Sequence, residues 1–235
     1  MKKTFIASLL AGAVLLMGAA TAMSASITYT GSTALLPLDW GIPPGPGAVT
    51  INIPQWDPAA YPSYYSLTSV DIFVTGTEVG DFLGQNLNMQ TPKTISATIH
   101  AHINVDVPGL STSPLTALPE LTTPPQTMGK YVGPIFNFTG TDGFSLTSLT
   151  DVKIASANPS DLTPYIGSGI IPFNIWAFDD SLFIGNTATT ILIIQNYASA
   201  VLEVTYNYST VPEPSTIVLL SAGLLGAVAI RRRRK

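Results

Sequence analysis

His100 and His102 are the two histidines of the chain. At positions i and i+2 of an extended segment they project from one face, and Asp106 falls on that face too. Two imidazoles and a carboxylate form a donor set suited to a Zn²⁺-type ion. Asp106, however, lies ~13 Å along the strand from His100 at ~3.3 Å per residue, so a bend or a partner loop would have to complete the set. A polar pair on the wet face of an alternating strand accounts for both histidines without a metal, and no metal or cofactor is expected. Asp39, Asp57, Asp142, Asp151, Asp161, Asp179 and Asp180 fall in largely loop-like stretches. Such oxygens suit calcium, but the Asp-x-Asp-x-Asp-Gly spacing of a calcium loop is absent, which leaves a solvated acidic surface.

Aromatic residues cluster near loop prolines and carboxylates at Trp40, Trp56, Tyr61, Tyr64 and Tyr65. Sugars stack their apolar faces on aromatic rings, so these five are candidate glycan contacts if exposed. If buried, the same rings are core. Hydrolysis of a glycoside would need two carboxyls ~5 to 9.5 Å apart, one with a raised pKa in a cleft. No Gly-x-Ser-x-Gly elbow is present, and without cysteine there is no thiolate nucleophile, disulfide or cysteine zinc site. No catalytic residue is assigned, and the chain reads as a non-enzyme.

The elements that would carry these residues are strands. Between the two ends no helical period is sustained, whereas apolar residues alternate or form short β-branched runs bounded by Gly, Pro, Asn and Asp. Expected strands are 26–30, 49–53, 67–77, 93–107, 131–138, 144–154, 170–178 and 190–209. Leu202, Val204, Tyr206 and Tyr208 face one side, with Glu203, Thr205 and Asn207 on the other. Ile99, Ala101, Ile103 and Val105 alternate in the same way with Thr98, His100, His102 and Asn104. One wet face per sheet implies antiparallel pairing, and two such sheets stacked on their apolar faces give an antiparallel β-sandwich over 26–210. Seventeen of the 19 prolines lie in this region. Those in 43–47 and 119–125 mark surface loops, because proline lacks a ladder donor.

The formal charge of −4 averages over unlike pieces. Residues 26–210 hold three lysines (Lys93, Lys130 and Lys153), no arginine and 13 acids, a balance of −10. Phosphate-backbone binding needs clustered cations, so nucleic acid is excluded as a partner. The remaining bases sit at the ends. Lys2 and Lys3 precede an apolar stretch, Ile6 to Leu16, and then small residues Ala20-Thr21-Ala22. This reads as a secretory signal peptide over 1–25, cut after Ala22 or, second, after Ala25.

At the other end Val211, Pro212, Glu213, Pro214, Ser215 and Thr216 precede 14 apolar residues, Ile217 to Ile230. Arg231, Arg232, Arg233, Arg234 and Lys235 close the chain. The apolar stretch is marginal for a span of ~30 Å at ~1.5 Å per residue, and is expected to form a short transmembrane sorting helix. The basic cluster would stay cytoplasmic, leaving the domain outside.

Motif, short apolar span and basic stop at 211–235 together resemble the PEP-CTERM sorting signal. That resemblance implies recognition by an exosortase, an integral-membrane cysteine protease, and removal of the anchor. The logic is that of a GPI tail, where the hydrophobic end is an address. The interior is similar to choice-of-anchor E domains at Ile27-Thr28-Tyr29-Thr30-Gly31, Ile53-Pro54-Gln55-Trp56-Asp57-Pro58, Leu67-Thr68-Ser69-Val70 and Val204-Thr205-Tyr206-Asn207-Tyr208. Those domains are small, extracellular and all-β, with no catalytic residues to carry over.

The expected product is an exported protein, transiently anchored in the inner membrane and then at the cell surface or extracellular. Its partners would be exosortase, the export machinery and exopolysaccharide, in a structural or adhesive role. A carbohydrate-binding module is the alternative, and a hydrolase built on an Asp/Glu pair the third.

Overall fold

The computed structural model describes residues 24–38, 48–63, 65–111, 114–185, 187–210 and 223. The expected signal peptide up to residue 23, Trp40, Tyr64 and, Gly223 apart, the sorting signal after Thr210 lie outside the described residues. Eleven strands follow one another: β1 (Ser24–Ser32), β2 (Leu36–Pro37), β3 (Val49–Pro54), β4 (Tyr65–Asn86), β5 (Lys93–Val105), β6 (Leu115–Ala117), β7 (Glu120–Thr122), β8 (Gln126–Met128), β9 (Gly143–Ala157), β10 (Ile170–Gly185) and β11 (Thr190–Thr210). Among the described residues no helix is long and apolar enough to cross a membrane.

The strands form two antiparallel sheets. The first runs β1-β11-β4-β9, with β2 also on β11. The second runs β3-β10-β5-β6, with β7 and β8 also on β5. The alternation read in 98–105 and 202–208 is the core pattern. Ile99, Ala101, Ile103 and Val105 are fully buried from the second sheet, as are Leu202, Val204 and Tyr206 from the first. Val70, Ile72 and Val74 of β4 join Ile53, Phe173, Ile175 and, Ile99 apart, these residues in one cluster contributed by both sheets. A smaller cluster of Phe82, Ala97, Ile99 and Leu121 lies toward the other end.

The order of the ladders gives the domain two distinct ends. Ser24 pairs with Ser209, and Tyr65 with Thr210, so chain entry and exit share one end, here called the base. Asn86 pairs with Thr190 at the opposite end, the tip. The 21 residues of β11 connect base to tip, roughly 65 Å at ~3.3 Å per residue.

Several boundaries differ from the sequence-based expectation. β4 does not stop at Thr77 but continues to Asn86. Gly76 and Gly80 resemble turn signals, yet they face inward toward the second sheet. A Cβ on Gly76 would stand 2.8 Å from Ile103 Cδ1, and one on Gly80 2.8 Å from Leu121 Cδ1, the close approach that explains glycine within a strand. The strand expected over 131–138 is a loop. Gly133 and Phe136 adopt positive φ, +67° each, and side chains of Gln85 and Asp142 take backbone N–H groups that a ladder would have used. The segment 119–125, expected as loop, contains β7, a three-residue edge strand on β5 whose flanking Pro119 and Pro124 sit outside the paired residues. At the start, β1 includes Ser24 and Ala25. A cut after Ala22 leaves that strand whole, whereas a cut after Ala25 would remove its first two rungs.

Candidate functional site

The base is where the folded domain meets the C-terminal motif, and aromatic rings build it. Asp57 caps the short 3-10 turn Pro58–Ala60, accepting from Ala59 N–H at 2.9 Å. This turn delivers Tyr61 onto Trp56, with ring centroids 5.5 Å apart and planes 12° from parallel. Tyr208, near the end of β11, packs against Tyr61 at 5.0 Å, Trp56 at 6.2 Å and Tyr65 at 5.7 Å. Beneath them Tyr206 donates its hydroxyl to Pro54 O at 2.8 Å and Tyr165 to Pro108 O at 2.5 Å. Both phenols are buried, which pushes their pKa values up. Burial also raises Tyr61, aided by the neighbouring Tyr208. A backbone bridge between Trp56 and Ile166 fastens the loop across the base. The last residues before the motif are therefore pinned by rings from three separate segments.

Of the five aromatic candidates, the structure brings Trp56, Tyr61 and Tyr65 together. Trp56 is 4% exposed and packs as core, so its ring faces are not surface. Tyr61 and Tyr65 are half-buried at the edge of the same cluster.

His100 and His102 share a face of β5, as their spacing requires, but each has its own partner. His100 Nδ1 lies 3.4 Å from Glu120 Oε2 on β7, directly opposite in the ladder. His102 stacks on Phe178 of β10 at 4.5 Å and 6°. Asp106 is exposed just past the end of β5. Among the described residues no group of three His, Cys, Asp or Glu side chains is placed to hold a metal ion.

Two acids are buried: Glu78, which sequence reasoning passed over, and Asp142, which it placed on a solvated acidic surface. Glu78 on β4 is fully buried and points between the sheets. Burial pushes its carboxyl up to about 7, against hydrogen bonds from Asn196 and the Ala101 backbone, while Asp151 and Asp179 push in the same direction as burial. Asn196 Nδ2 donates to Glu78 Oε1 at 2.6 Å, and Oε2 has no hydrogen-bond partner. Asn196 also lines an open cleft of about 330 Å³ with Pro37, Leu38, Asp179, Gln195 and Tyr197. A hydrolase reading asks for a raised carboxyl that substrate can reach; this one is sealed behind Asn196.

Asp142 is the second buried acid. Burial acts on it most strongly and in the upward direction, but hydrogen bonds from Gln85 and the backbone of Val132, Asp142 and Gly133 together hold it below the usual carboxylate range. Strand periodicity gives no signal for either acid, because Glu78 lies at an inward position of β4 that sequence alone assigns to an apolar residue and Asp142 lies in the turn before β9.

Solved structures with some likeness are distant. The T13 particle of infectious bursal disease virus matches with 14% identity over 81% of this chain and 41% of that chain, at a TM-score of 0.14. A VP2 subviral particle of the same virus matches with 9% identity over 92% of this chain and 50% of that one, at 0.12. The chain thus spans about half or less of the length of the chains it matches. No curated protein matches. At the C-terminus, beginning where β11 ends, residues 210–234 match the family model of the PEP-CTERM protein-sorting motif, which marks an exported protein handled by an exosortase and transiently anchored through its C-terminal segment.

Proposed function

We propose that this chain is an exported surface or extracellular-matrix protein with a structural or adhesive, non-enzymatic role in an exopolysaccharide layer. The observation that carries the reading is the sorting motif at 210–234, joined without a linker to strand β11. Chain entry and exit at one end suit a domain delivered by its base, with its remaining surface facing outward. The balance of −10 over 26–210 disfavours phosphate-rich polymers and favours neutral glycans or cations. An N-terminal signal peptide completes the export route.

A carbohydrate-binding role is the second reading, favoured by half-buried Tyr61 and Tyr65 beside Asp57 at the base. Trp56 supports these rings from below rather than offering a stacking face. Pull-down on host exopolysaccharide with the parent and Tyr61→Ala separates the two. Retention lost in the variant indicates glycan recognition through this cluster, and equal retention places the contact elsewhere. The delivery step is tested by Glu213→Ala in the producing cell, which should leave the protein unprocessed in the inner membrane. Normal surface delivery of that variant would reject the sorting reading.

A further inference from the structure

The tip of the sandwich presents apolar side chains to solvent on loops that the fold holds firmly. Met89 is 73% exposed in the β4–β5 loop, and Val132, Ile135 and Phe136 are 70%, 54% and 65% exposed in the loop after β8. Exposed apolar residues scattered singly need no explanation, but a group gathered at one end does. These four belong to two loops tied to each other, since Tyr131 N–H donates to Asn88 O at 2.9 Å.

The loops are anchored from beneath by buried amides and a carboxylate. Gln85 is fully buried, accepts from Phe136 N–H at 2.7 Å and donates to Pro134 O at 2.8 Å and Asp142 Oδ2 at 3.1 Å. Asp142 accepts from Val132 N–H at 3.3 Å. Asn86 donates to Gly129 O at 2.7 Å and to Thr91 O at 2.8 Å. Phe136 is a bulky residue at positive φ, a strained conformation that persists only when its surroundings impose it. Here those surroundings hold an aromatic ring out in water.

Charge at the tip differs from the rest of the domain. Among the described residues of 86–93, 129–143 and 185–190, the one carboxylate is Asp142, which is buried, while Lys130 is exposed and Lys93 lies below the surface. Two of the three lysines of 26–210 are therefore at this end, and the other 12 acids are elsewhere. Protruding apolar side chains with a cation and no exposed acid fit an interface into which they can sink. The exposed or half-buried acids nearest the tip along the strands, Asp81 on β4 and Asp180 on β10, lie five residues from the tip ends of their strands. That is roughly 16 Å at ~3.3 Å per residue and beyond the ~8 Å screening length at physiological salt, so they do not cancel the tip's local attraction.

We infer that the tip loops, through Val132, Ile135, Phe136 and Met89 with Lys130 beside them, dock onto an anionic lipid surface distinct from the membrane that handles the C-terminal tail. Shallow insertion of a few apolar side chains together with a cation is the two-part mode by which proteins bind a bilayer without spanning it. The proposal does not depend on the structural or adhesive reading.

The chain has no cysteine, so one introduced thiol labels a single position in the full-length protein. An environment-sensitive fluorophore on Ile135→Cys reports the tip, and the same label on Val152→Cys reports the exposed outer edge of the domain. A local readout is needed because the apolar segment 217–230 can itself bind bilayers. With vesicles of phosphatidylcholine and phosphatidylglycerol, the tip label should blue-shift and brighten several-fold while the Val152 label stays constant. Vesicles of phosphatidylcholine alone should give a several-fold weaker response. Adding Phe136→Ser should weaken the anionic-vesicle response at least tenfold with an unchanged thermal midpoint, since burying one phenyl group contributes ~1.5–3 kcal/mol. An unresponsive tip label, equal changes at both positions, equal response to both vesicle types, or brightening with protein concentration alone (a second copy as partner) would each overturn the proposal.

Discussion

Tyr61 lies flat on Trp56, its ring 5.5 Å away and 12° from parallel, and Tyr208 closes the pair from the last strand. The contact joins the β3–β4 loop to the residue two places before the end of β11. Stability at the base and control of the chain's exit are therefore the same set of contacts.

Removing the lower ring should be costly. Trp56→Ala leaves a cavity beneath Tyr61 and Tyr208, and a large-to-small change of this kind costs ~3–5 kcal/mol. Tyr61→Ala, at a half-buried position, should cost less, about 1–2 kcal/mol, as lost ring contact and partial burial. Urea denaturation of both variants checks the order. A Tyr61 variant less stable than the Trp56 variant would misplace the core of the base.

Glu78 makes the fold sensitive to pH in a defined direction. Its folded pKa of about 7 lies above the ordinary value of 4.5, so the folded state binds the extra proton and stability falls as pH rises through that window. The contribution is undiminished below the ordinary value and lost above about 7, a difference of roughly 3 kcal/mol. The facing groups are Asn196, the Ala101 backbone and the carboxylates of Asp151 and Asp179. Glu78→Gln keeps an oxygen for Asn196 and removes the titration. Relative to the parent, it should be more stable at pH 8 and about equal at pH 4. A parent-minus-variant difference that is flat with pH would refute the assignment.

Gln85 should control order at the tip. Gln85→Ala removes the acceptor for Phe136 N–H and one donor to Asp142, leaving buried polar groups unpaired at ~1–3 kcal/mol. Hydrogen exchange should show loss of protection at Phe136 and Val132 with little change at Val204 in the core. Equal loss everywhere would mean that the anchor serves the whole fold rather than the loop.

Where one face is wet and the other buried, the sequence shows it plainly, as in β5 and β11, whose alternation matches the buried positions over 98–103 and 202–206. Asn104 of the expected wet face is buried, and Tyr208 of the core face is only half-buried. The misreadings have physical causes. Gly76 and Gly80 look like turn signals but permit close contact between the sheets. The apolar run at 131–138 looks like a strand, yet its side chains face water and its N–H groups bond to Gln85 and Asp142. The polar anchors themselves are invisible to periodicity because their partners are distant in sequence. Asn196 reaches Glu78 across 118 positions, and Gln85 reaches Asp142 across 57. Trp56, Tyr61 and Tyr65 were legible as a group, but exposure, which decides between stacking platform and core, depends on β11 closing over Trp56.

Gly76 offers a local check on sheet spacing. Gly76→Val would drive a branched side chain against Ile103 Cδ1 and Ala117 Cβ, where even a single Cβ stands at 2.8 and 3.0 Å. Overpacking of this kind costs ~1–3 kcal/mol. A thermal midpoint at or above the parent's would show that the sheets are farther apart than described.

The central claim is that the domain is delivered by a C-terminal address that is then removed. Intact mass spectrometry of the protein recovered from the surface or medium of the producing cell measures this directly. The account predicts a product that has lost the apolar segment Ile217 to Ile230 and the basic run Arg231 to Lys235, and a full-length tail when the exosortase is deleted. A surface product that still ends at Lys235 in cells with active exosortase would contradict it.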